Sequence, residues 1–72
     1  MSSNQQSGTQ DVTYNIVSVM YHALQGAETC DVYIRDAEKE GDQELVKFFQ
    51  DVKKQYQTTA EQGKKLLGKH LG

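Results

Sequence analysis

Reactive side chains cluster in the first half of the chain, where His22, Glu28, Cys30 and Asp31 fall within ten positions. A thiol with a base beside it can act as a nucleophile. Two carboxylates three residues apart, as Glu28 and Asp31 are, can share acid–base work. Glu28, Glu61 and His22 together form a candidate carboxylate–imidazole metal set. Tyr14 and Tyr21, seven apart, could stack a base or another planar ligand. Each of these has a plainer alternative. A cysteine inside an apolar stripe is a small hydrophobe, and burial keeps it unreactive. Glu28 and Asp31 can be neutralised by Lys53 or Lys54, and the two tyrosines can pack a helix boundary with their hydroxyls in water.

The elements that position these residues follow from periodicity. From Thr13 onward, apolar and small residues recur in steps of three and four: Thr13, Ile16, Met20, Ala23, Ala27, Cys30, Ile34, Ala37. A second stripe runs Leu45, Phe49, Val52, Tyr56, Thr59, Gly63, Leu66, His70. That spacing is helical, and it predicts helices over 11–40 and 42–69. Between them, Gly41 suits the left-handed position past a helix end and Asp42 suits the next N-cap. Glu44 in a first turn, and Lys64, Lys65 and Lys69 near a last turn, complement the helix dipole. Ser7, Thr9 and Asp11 are the candidates to cap the first helix.

A connection this short predicts antiparallel neighbours. Pairing positions about the turn sets Ile34 against Phe49, Ala27 against Tyr56, Met20 against Gly63 and Cys30 against Val52. Large residues then face small ones, as interdigitating helices require. The predicted hairpin core is Ala23, Ala27, Cys30, Ile34, Leu45, Phe49, Val52, Tyr56, Thr59, Gly63 and Leu66. In this arrangement Glu28 and His22 lie about 120° apart around the first helix, too far to converge within one hairpin.

Composition narrows the function classes. The chain has 72 residues, a net charge of −2, one cysteine and no tryptophan or proline. That is one small domain, with no disulfide framework and no glycine-rich loop for a large cofactor; none is expected. A pI near 5.5 speaks against a nucleic-acid partner. Residues 1–10, MSSNQQSGTQ, have nothing to bury and predict a disordered polar tail. With neither a basic, apolar leader nor a long apolar run, the expected localisation is cytoplasmic, without membrane insertion.

The absence of charge in one stretch is more informative. Residues 12–27, VTYNIVSVMYHALQGA, carry no formal charge when His22 is neutral. A helix exposed on half its surface normally carries charge there. Val12, Val19 and Met20 widen the apolar arc on one flank, and Val17, Tyr21 and Leu24 on the other. One partner helix cannot cover that arc, which points to a second copy of the chain.

Three stretches resemble the helical hairpin of the ferritin-like superfamily, most closely its rubrerythrin-type members. They are Ala37-Glu38-Lys39-Glu40-Gly41, Phe48-Phe49-Gln50-Asp51-Val52 and Lys64-Lys65-Leu66-Leu67. The resemblance covers about residues 20–68, half of a four-helix domain. It implies a bundle in which each half supplies a Glu from one helix and Glu-x-x-His from the next to an iron or manganese pair. At those positions this chain has Ala23, Tyr56 and Thr59, so the resemblance implies the scaffold without the metal centre.

The expected fold is therefore all-α: an antiparallel two-helix hairpin pairing as a homodimer into a ferritin-like four-helix bundle. The expected self-interface is Val12, Ile16, Val17, Val19, Met20, Tyr21 and Leu24. The leading function is a non-enzymatic assembly or interaction module. Two alternatives stand beside it. One is a metal-binding or oxidative-stress protein whose site, from Glu28, Glu61 and His22, forms only in the oligomer. The other is an adaptor helix pair that docks a larger protein partner through residues 12–27.

Overall fold

A computed structural model of the chain describes residues 11–72, so the predicted polar tail, and Ser7 and Thr9 as caps, lie outside the described residues. Two helices, α1 (Val12–Glu40) and α2 (Gln43–Leu71), form an antiparallel hairpin. Asp11 caps α1, its carboxylate accepting the Tyr14 N–H at 3.1 Å. At the other end Gly41 takes φ 73°, ψ 20°. Its N–H donates to the Glu38 carbonyl, and the Asp42 N–H donates to that of Ala37. This paired closure satisfies carbonyls that the end of a helix leaves open, and a side chain at Gly41 would strain it. Asp42 then caps α2 by accepting the Leu45 N–H at 3.0 Å. One residue thus finishes one helix and starts the next. α2 runs two residues beyond the expected end at 69.

The hairpin is a single layer. It is 14 Å thick along its shortest axis, little more than one helix with its side chains. Its radius of gyration is 15.8 Å, against roughly 11 Å for a globule of this length. The buried side chains are Ala23, Ala27, Cys30 and Ala37 on α1, and Val46 and Ala60 on α2. Four of the six are alanine, and the largest fully buried residue is Cys30. Small residues at the centre let the two backbones approach closely.

That close approach corrects part of the expected core. Ala23, Ala27 and Cys30 are buried, and Ile34, Phe49, Val52 and Gly63 are half-buried. Leu45, Tyr56, Thr59 and Leu66 are instead exposed. On α2 the buried line runs through Val46 and Ala60, with Lys53 and Leu67 half-buried between and beyond them. A ring or a leucine cannot enter a gap set by alanines, so the larger residues sit at the rim. Lys53 turns inward because its ammonium meets Asp31 of α1 at 2.7 Å, while its methylene stem covers apolar surface. Tyr56 lies against Gly26 rather than opposite Ala27. A Cβ at Gly26 would come within 2.8 Å of the Tyr56 ring carbons. Met20 lies against Gly63, where an added Cβ would sit 2.5 Å from Met20 Cγ. Near the turn, the Tyr33 and Phe49 rings meet with centroids 5.4 Å apart.

Candidate functional site

A hairpin one layer thick has two broad faces, and they differ. One face carries three shallow apolar grooves in a row. At the open end, a groove of about 290 Å³ runs between Ile16 and Val19 of α1 and Thr59, Gly63 and Leu66 of α2, with Asn15 and Gln62 at its edges. The next, about 350 Å³, shares Val19 and Thr59 with it and adds His22, Ala23 and Tyr56. At the loop end, a third groove of about 250 Å³ is lined by Tyr33, Asp36, Ala37, Glu40, Leu45 and Phe49. The floors are small residues and the walls mostly large apolar ones, joined by His22 in the middle groove and by Asp36 and Glu40 at the loop end. That profile arises because positions 16, 19, 23, 33 and 37 of α1 fall on one side of the helix.

The expected self-interface divides between the two faces. Val12, Ile16 and Val19 lie toward the grooves, whereas Val17, Tyr21 and Leu24 lie toward the opposite face by the same helical spacing. Ile16 and Met20 are half-buried, and the other five are exposed. No single two-fold contact can use both sets. The sequence reading missed the loop-end part of the grooved surface: Tyr33, Asp36, Ala37 and Glu40 were not among its interface residues. Its signal was present in the sequence, because Tyr33 and Asp36 continue the Val19–Gly26 edge in three- and four-residue steps.

The residues with reactive side chains are not gathered into a centre. Among the described residues no three of His, Cys, Asp and Glu stand close enough together to hold a metal ion. His22 lines the middle groove and packs edge-on to the Tyr21 ring at 5.6 Å. Glu28 and Glu61 are exposed and belong to none of the grooves. Ala23, Tyr56 and Thr59, the positions that the resemblance matches to metal ligands, share that middle groove and offer only a phenol and a hydroxyl. Asp31 is held by Lys53. Tyr21 accepts a hydrogen bond from Gln25 Nε2 at 3.0 Å, and Tyr14 is exposed. No polar or charged side chain is buried among the described residues.

Among the described residues, Cys30 is the one reactive group removed from water, at 2 % exposure. A thiol reagent should therefore modify it slowly in native protein and rapidly in denaturant. Cys30→Ala should destabilise by about 1 kcal/mol, from the lost burial and the small void left behind. Equal labelling rates in the two states would place the thiol at the surface and refute the α1–α2 packing.

No helix among the described residues is long and apolar enough to cross a membrane. No known protein family, curated protein or solved structure matches the chain.

Proposed function

We propose that the chain is a small, non-enzymatic assembly module that pairs with a second copy of itself into a four-helix bundle, ferritin-like in shape and without a di-metal centre. One observation carries this reading: what the hairpin buries and what it leaves wet are badly matched. Its six buried side chains are alanines, one cysteine and one valine, while thirteen large apolar side chains on the described residues stay exposed. Burial of apolar surface is the main favourable term in folding, and alanine supplies little of it. A chain of this length needs a staple, a metal or a partner. One cysteine excludes an intrachain disulfide, which leaves association as the direct remedy. The buried free thiol suits a reducing compartment such as the cytoplasm.

Light scattering combined with elemental analysis on one untagged sample tests the reading. The expected result is a mass about twice the 8.1 kDa of one chain, with no stoichiometric iron, manganese or zinc. About one metal per chain, lost on Glu28→Ala, would favour the oligomeric metal site. A monomer at every concentration would favour the adaptor that docks a larger partner.

A further inference from the structure

We infer that the second copy seats on the grooved face and leaves the opposite face to water. This rests on the dimer reading above and holds whichever way round the copy lies. The two faces differ in how far apolar surface runs along them. On the grooved face it runs from end to end. Val19 and Leu66 stand toward the open end, Tyr56 in the middle, and Tyr33 and Leu45 near the loop; all five are exposed and each lines a groove. Asp36 and Glu40 join them only at the loop end, as exposed residues, and the rim of a protein contact is ordinarily polar. The opposite face is apolar only toward its open end, where Tyr14, Val17, Tyr21 and Leu24 are exposed. In the same three- and four-residue steps, that edge of α1 continues as Glu28, Asp31, Arg35 and Glu38. Lys53 of α2 reaches Asp31 there at 2.7 Å, in an ion pair whose side chains are 32 % and 45 % exposed. A copy seated on this face would strip water from the pair and from its charged neighbours, a cost that their mutual attraction does not reliably repay.

Area separates the faces in the same way. A stable, specific contact takes roughly 600–1,000 Å² from each partner. Two packed helices are roughly 20 Å across. The grooves line α1 from Asn15 to Glu40, which is about 38 Å by helical rise and gives a footprint of about 750 Å². That length fits within the 46 Å of the hairpin. The apolar edge of the opposite face, from Tyr14 to Leu24, is about 15 Å long and gives about 300 Å². The grooved face therefore reaches the area that a dimer of this chain needs, and the opposite face falls short of it. An isologous contact uses one patch on both copies, so the same grooves are covered twice.

Thiol labelling against chain concentration tests which face is covered. In a Cys30→Ala background, Thr59→Cys and Gln57→Cys each carry a single thiol. Thr59 lines two of the grooves, and Gln57 lies about 200° from it around α2. Both are exposed in the hairpin, so protection at either has to come from another chain. Labelling with a bulky maleimide is followed from well below to well above the dimer dissociation constant, with light scattering on the same samples. As the mass doubles, the rate at Thr59→Cys should fall at least about tenfold, and the rate at Gln57→Cys should stay within about threefold. Three outcomes overturn the assignment of the face while leaving the dimer standing: a doubled mass with protection at Gln57→Cys alone, with equal protection at both positions, or with protection at neither. A monomer mass at every concentration refutes the dimer reading and this contact with it.

Discussion

Val19→Lys is expected to split the proposed dimer and to abolish cooperative unfolding at micromolar concentration, whereas Leu24→Lys should leave both intact. In the isolated hairpin these side chains are equally exposed, at 53 % and 52 %, so packing within one chain predicts the same small effect for both. The difference arises from the face each occupies. Val19 lines two of the grooves, the apolar face on which the proposed second copy would seat; Leu24 lies on the opposite face. A lysine at position 19 removes an apolar contact and buries an unpaired ammonium twice per dimer. Each such charge costs roughly 3–5 kcal/mol. On the proposed reading, folding of so thin a hairpin is coupled to association, so loss of the dimer should take the helices with it. Circular-dichroism melts over a hundredfold range of concentration check this. The parent chain and Leu24→Lys should melt at temperatures that rise with concentration. Equal behaviour of the two variants would show that the grooved face is not the contact.

Ala27→Leu is expected to destabilise the protein by about 2 kcal/mol, the middle of the range for overpacking a filled interior. In a domain of this size that lowers the melting temperature by roughly 8–16 °C. Ala27 is 6 % exposed and belongs to the alanine stripe that sets the distance between the helices. Three added carbons there have to push α2 away. The inward turn of Lys53 and the fit of Met20 on Gly63 both depend on the present spacing. Glu28→Leu, one position along and exposed, is the control. It adds comparable bulk to the surface and should shift the melting temperature by only a few degrees. If Ala27→Leu instead proved as mild as the control, the two helices would not be held at close approach by their alanines.

Much of this architecture was legible in the residues because it depends on local rules. Period and length set the two helices. Gly41 and Asp42 set the turn, since only glycine takes the left-handed position at no steric cost and a short acid readily caps the next helix. Cys30 was legible as a buried thiol because it falls on the inner stripe with Ala23 and Ala27. Asp31 was legible as a neutralised carboxylate, although Lys53 and Lys54 were equal candidates from spacing alone. The grooved surface was legible only in its open half, where the uncharged run from Val12 to Ala27 marks it. Its loop half is hidden in a segment dense with charge, where Asp36 and Glu40 read as ordinary solvated residues.

Helix identity, the turn, the Asp42 cap and the antiparallel pairing are properties of neighbours in the chain, and the residues alone determined them; the cap of α1 stayed open among Ser7, Thr9 and Asp11. Which of two adjacent positions turns inward was decided only in three dimensions. Leu45 and Val46 differ by about 100° around α2, and so do Thr59 and Ala60; the stripe of three- and four-residue steps put Leu45 and Thr59 in the core. The helices came together on their smallest side chains instead, which buried Val46 and Ala60 and left Leu45 and Tyr56 at the rim. The same close approach makes the hairpin a flat layer with two unlike faces. Periodicity places residues around one helix axis. It does not specify how near a second axis will come, and that distance decides which large side chains remain available to another copy of the chain.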